Sequence, residues 1–202
     1  QSDSFSRGSA LERLPGTQRE AEAILRLADP SISMLESGFS ASRDTVLKTN
    51  WSAYSIVHFA THASIDLHTP ELSAIALSMF DAQGRAQDGF LRMNDVYNLD
   101  MPLDLAVLSV CDSAVGEGRG AEGMFSLSRA FFHAGTRRVL ASLWPVDDRA
   151  SERFMQYFYE NLLERNESPQ VALLHAQQTL SDDPRWRSPY YWSGFVLQGD
   201  WR

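Results

Sequence analysis

Short, unbroken apolar runs alternate along this chain with stretches in which apolar residues recur every three or four positions. The runs at residues 55–61 (SIVHFAT), 103–110 (LDLAVLSV) and 138–143 (RVLASL) are rich in Val, Ile and Leu. They lack the in-out alternation of a half-exposed strand, which predicts strands buried on both faces, as in a parallel sheet. Further strands are predicted near 31–36, 72–80 and 190–197, the second ending at the turn Asp81-Ala-Gln-Gly84. Ala21, Ile24, Leu25 and Ala28 lie at helical spacing. Thr17-Gln18-Arg19-Glu20 before them has the form of a capping box, and Asp29-Pro30 ends the helix. Shorter helices are predicted near 42–49 and 92–98. A helix over 121–133 follows the glycine-rich Gly116-Glu-Gly-Arg-Gly120 and closes on Gly135 as its C′ residue. Two more cover 148–165 and 168–181, with Pro169 suited to the first turn of the second. Buried strands alternating with helices predict one α/β sandwich, its sheet mostly parallel and covered by helices on both faces. Residues 1–10 are Ser-rich and aperiodic and are expected to form a linker, leaving residues 11–202 as the domain.

Composition narrows the functional classes. Of the 202 residues 44% are hydrophobic and 22% charged, the balance of a globular domain rather than a disordered chain. Eighteen Lys and Arg against 26 Asp and Glu give a net charge of −8. That sign, with no local basic run, argues against nucleic acid as a direct partner. The apolar run 105–110 is far too short to span a bilayer. The chain opens at Gln1 without Met, as a piece of a longer protein would. Cys111 is the single cysteine, which excludes a disulfide framework and a multi-cysteine metal site. Five scattered histidines include no HExxH, so neither a metal nor another cofactor is expected. The class that remains is a soluble, cytoplasmic α/β domain.

Chemistry in open α/β sheets gathers at the carboxyl ends of the strands. Here one predicted strand ends near His62 and another at Cys111, 49 residues downstream. Caspase-type proteases carry their catalytic histidine about 50 residues before the cysteine. A thiol is weakly ionised at neutral pH, so an imidazole must take its proton, and the same imidazole can later protonate the departing amine. The competing reading is ordinary: a lone cysteine after an apolar strand is often a small core residue. His58, inside the first run, is read as a satisfied core histidine.

At these residues the sequence resembles the CHAT domains, caspase-like clan CD cysteine peptidase domains commonly appended to tetratricopeptide repeats in bacteria. HFATHA (58–63) and LSVCDSA (108–114) match the histidine and cysteine blocks. LPGT (14–17), the segment 120–148 ending in WPVDD, and PYYWSGFVLQGDWR (189–202) extend the likeness over most of the chain. The resemblance implies the caspase-hemoglobinase fold, a three-layer sandwich, with His62 as general base and Cys111 as nucleophile. It implies an oxyanion hole from the backbone amides at Ala63 and Cys111, and a substrate cleft lined by Asp112, Trp144 and Asp147. It also implies a protein substrate, with upstream tetratricopeptide repeats or an effector as regulator.

Two departures from the family pattern stand out. Ala63 replaces the usual glycine after the histidine; alanine keeps the N–H but tolerates fewer backbone angles. Cys111-Asp112-Ser113-Ala114 stands where Cys-Glu-Thr-Gly is frequent, which shortens the acid and removes a glycine. The expected activity is therefore a gated cysteine endopeptidase, and the alternative is a catalytically degenerate caspase-like signalling or interaction module. The loop 116–120 lacks a following GK[ST] and carries Glu117, so it reads as a mobile segment beside the nucleophile rather than a phosphate cradle. Asp147 and Asp148 most simply cap the helix that follows them. Asp66 and His68 lie in the loop after His62 and are weaker candidates for substrate contact.

Overall fold

A computed structural model describes residues 15–64, 69, 72–112 and 120–200. In chain order the elements are α1 (Pro15–Leu27), α2 (Arg43–Lys48), β1 (Ile56–Ser64), β2 (Ala74–Ala76), β3 (Phe90–Arg92), α3 (Met93–Tyr97), β4 (Leu105–Asp112), α4 (Gly120–His133), β5 (Arg138–Ser142), α5 (Asp148–Tyr159), α6 (Pro169–Asp182) and β6 (Phe195–Gly199). Six strands form one sheet in the order β3-β2-β1-β4-β5-β6. The central strands β1, β4 and β5 run parallel, as their unbroken apolar sequences predict. The outer strands β2, β3 and β6 join antiparallel, so the sheet as a whole is mixed. The expected linker, residues 1–10, lies outside the described residues.

Alternation along the central strands feeds two separate cores. Phe59, Ala63, Ala106, Leu108 and Val139 meet Val96 of α3 and Phe131 of α4 on one side. On the other, Leu105, Val107 and Leu140 meet Phe154 and Phe158 of α5 and Ala176 of α6, with Ile24 and Leu27 of α1 packed at the margin. This is the three-layer α/β sandwich expected. Local chemistry sets the helix ends. The Ser168 hydroxyl accepts the Val171 N–H at the start of α6, with Pro169 at the first helical position. Gly135, at φ +104°, closes α4 in a Schellman motif: its N–H reaches the Phe132 carbonyl and the Thr136 N–H reaches that of Phe131.

Four sequence expectations change. The last strand, expected near 190–197, spans Phe195–Gly199 after a 3-10 turn at Pro189–Tyr191. Thr17 is not an N-cap: α1 starts at Pro15, and Glu20 turns into the core instead of back to the helix end. Residues 31–36 form no strand. Asp29 gathers the Ser31 N–H, the Ser33 hydroxyl and the Ile32 N–H into a turn, and Ile32 and Met34 stay exposed with no strand to pair. Only residues 74–76 of the predicted strand 72–80 are in the sheet, because Ser78 N–H bonds to Ala41 and the chain leaves the ladder. The turn at Gly84 (φ +75°) forms as expected, closing a bridge between Phe80 and Ala86.

Candidate active site

β1 and β4 lie side by side and in register, Ile56 opposite Leu105 through to Ala63 opposite Asp112. In that ladder His62 is the register partner of Cys111. Neighbouring strands are about 4.8 Å apart. The two-residue period settles the faces as well. Ala63 is buried in the core beneath α4, so position 62 belongs to the opposite face, with Ile56 and His58. Position 111 continues the series of Leu105 and Val107, which is that same face. The two candidates thus meet at the carboxyl ends of adjacent parallel strands, and His62 is only partly buried.

Ala63 is 1% exposed and lies within the extended strand. Among the described residues Asn166 alone combines a side chain with positive φ, so the backbone at 63 is one that alanine adopts without strain. Asp112 is its register partner. Trp144 follows the carboxyl end of β5, the strand next to β4. Its indole Nε1 donates to the Tyr190 carbonyl at 2.9 Å, and its ring stacks on Tyr190 with centroids 6.5 Å apart. The Tyr190 hydroxyl returns a 2.6 Å bond to the Pro145 carbonyl. Gly194 is required for this packing, since a Cβ there would sit 2.7 Å from the indole. Asp147 caps α5, its Oδ1 accepting the Arg149 and Ala150 N–H groups at 3.0 and 3.1 Å. Asp66, His68 and residues 116–119 lie outside the described residues.

His58 is held as sequence reasoning expected, but by partners it did not foresee. Its Nε2 is 2.7 Å from Glu20 Oε1 and its Nδ1 3.1 Å from the Tyr159 hydroxyl. Burial, and secondarily the charge of Glu20, push the Tyr159 phenol above its ordinary range. Glu20 was disguised by its place in an apparent capping box. Tyr159 carried no positional signal, and Tyr190 was visible only within the block 189–202.

Comparison with known proteins places the chain. The family model described as CHAT domain matches residues 1–200. The chain belongs to the CHAT domain family. Tetratricopeptide repeat protein 28 of Homo sapiens is 30% identical over 217 aligned residues, and that of Mus musculus is 35% identical. Each alignment takes in 92% of this chain and 8% of the relative, so this CHAT domain spans a small fraction of the curated relatives it matches. Both relatives are named for tetratricopeptide repeats, in keeping with the association expected of CHAT domains. No group of residues suited to a metal ion occurs among the described residues, and none of the described helices is long and apolar enough to cross a membrane.

Proposed function

We propose that this CHAT domain is a cysteine endopeptidase acting on a protein partner, with His62 and Cys111 as its dyad. The observation that carries the reading is the register pairing of these residues at the carboxyl ends of two parallel strands. His62 takes the Cys111 thiol proton, and the thiolate attacks the scissile carbonyl carbon. As the C–N bond breaks, the imidazolium gives its proton to the departing amine. Water, deprotonated by His62, then hydrolyses the thioester and restores the thiol. The backbone amides of Ala63 and Cys111 serve as the oxyanion hole. Asp112, Trp144 and Asp147 border the substrate, with Tyr190 backing the indole.

Activity is gated by an upstream repeat region or its effector, in the cytoplasm, where a lone thiol stays reduced. Profiling a peptide library with wild type, Cys111→Ala, His62→Ala and the double variant tests the reading. Each single change is expected to remove cleavage, and the double variant to be no worse. A wild type that cleaves nothing, with or without the upstream region and its effector, would favour the second reading, a degenerate signalling module. Ala63 in place of the family's usual glycine is the feature that supports that alternative.

A further inference from the structure

His58 stands four residues before His62 on β1 and, by the period of the strand, on the same face. Two elements converge on its ring. Glu20 comes from α1 and is 3% exposed, the one buried carboxylate among the described residues. Tyr159 is the last residue of α5, where the helix passes into the π-helical turn Glu160–Glu164. As a carboxylate, Glu20 accepts the Nε2–H of His58. Tyr159, which keeps its proton, donates to Nδ1. Both ring nitrogens are thereby engaged, and the tautomer and ring direction are fixed together.

Adhesion alone does not explain such a cluster. Apolar side chains of similar volume would hold α1 against the sheet at least as firmly. Hydrogen bonds add direction, and β1 needs it near its carboxyl end. Among the described residues that end is joined on the β2 side by the register pairs Ala63 with Ile75 and Ser64 with Ala74 and by the Thr61 hydroxyl donating to the Ala76 carbonyl. The seat of α1 is itself defined by polar contacts to α5. Gly16 N–H donates to Asp148 at 2.9 Å, and Arg19 pairs with Glu152 at 2.9 Å.

We propose that Glu20 and Tyr159 are positioning residues that clamp His58 between α1 and α5, fix β1 along its axis, and so place His62 opposite Cys111. Four residues of strand separate the clamp from His62, roughly 13 Å. The proposal rests on the dyad reading above. Its corollary is that a displacement of α1 that breaks the Glu20–His58 bond reaches the dyad.

The test is alkylation of Cys111 by iodoacetamide from about pH 5 to about pH 9, read as a rate on folded protein. Because Cys111 is the sole cysteine, the label reports one site and needs no peptide substrate. Wild type is expected to react at low pH through its imidazole-paired thiolate, and His62→Ala to lose that limb. If the two react alike, the dyad reading fails and the clamp falls with it. With the limb present, Glu20→Leu should slow low-pH alkylation at least about tenfold. Glu20→Gln, whose amide oxygen still accepts from Nε2, should slow it by less than about threefold. Ile24→Ala, which trims an apolar side chain of α1 and keeps all three polar partners, should leave it unchanged. A folded Glu20→Leu reacting like wild type, or an equal loss in Ile24→Ala, would overturn the clamp. Should Glu20→Leu not fold, Tyr159→Phe carries the test: a loss of about threefold or more is expected, and a wild-type rate overturns the proposal.

Discussion

His62 on β1 and Cys111 on β4 are register partners, one step before the register ends with Ala63 and Asp112. The central parallel strands of the sheet thus bring together two residues 49 positions apart in the chain. The ladder that builds the core brings the two positions together without a loop folding over, and the clamp on His58 holds β1 in place within it. The parallel register ends one position later, so both residues stand near the carboxyl ends of their strands, where α/β sheets place chemistry.

The two histidines of β1 should respond differently to truncation. His58→Ala leaves the buried Glu20 carboxylate without its imidazole partner, at a cost of about 2–4 kcal/mol. His62→Ala, at the partly exposed strand end, should cost less than about 1 kcal/mol while removing turnover. Urea unfolding and peptide cleavage on both variants check this. A stable but inactive His58→Ala beside an active His62→Ala would mean that the wrong histidine has been assigned.

Gly194→Ala should disturb the Trp144–Tyr190 stack, because the added methyl meets the indole ring. Overpacking of this kind costs about 1–3 kcal/mol. The expected signs are a lower unfolding midpoint and altered tryptophan emission. If Trp144 borders the substrate, KM should rise more than kcat falls. An unchanged KM in a folded variant would remove Trp144 from the cleft.

Acid should weaken the join between α2 and α3. Burial by itself raises the Asp95 carboxyl, but it is outweighed by two bonds from Arg43, at 2.6 and 2.9 Å, and by the Arg92 N–H, so the group titrates below its ordinary range. A carboxyl depressed on folding contributes stability that is fully present above its unfolded pKa and is lost as pH falls through the folded one. The contribution should therefore be complete above about pH 5 and fade below about pH 4. Urea midpoints of wild type and Asp95→Ala should differ clearly at neutral pH and draw together as pH falls below about 4. A gap that stays constant with pH would contradict this.

Much of this arrangement was legible in the sequence because parallel strands buried on both faces carry an unmistakable apolar signature. SIVHFAT and LAVLSV mark β1 and β4, and the reactive residues at their ends follow from chain order alone. Short or antiparallel edges were less visible. β3 is only three residues long, and β2 is pared to Ala74–Ala76 by the Ser78–Ala41 bond. Ile32 and Met34 alternate like a strand but lack a partner. The Glu20–His58–Tyr159 cluster was hidden for another reason. A polar residue on an amphipathic helix suggests solvent or a cap, and only tertiary packing reveals a partner 38 or 101 residues away.

The most direct measurement of the central claim is covalent labelling of Cys111 by a peptide-based electrophile, followed by intact mass, in wild type and His62→Ala. It should be made on the domain alone and on the full-length protein with its effector. One stoichiometric label on Cys111 is expected in the activated wild type, and none in His62→Ala at the same exposure. A Cys111 that stays unlabelled in the fully activated protein, or that labels equally without His62, would contradict the claim.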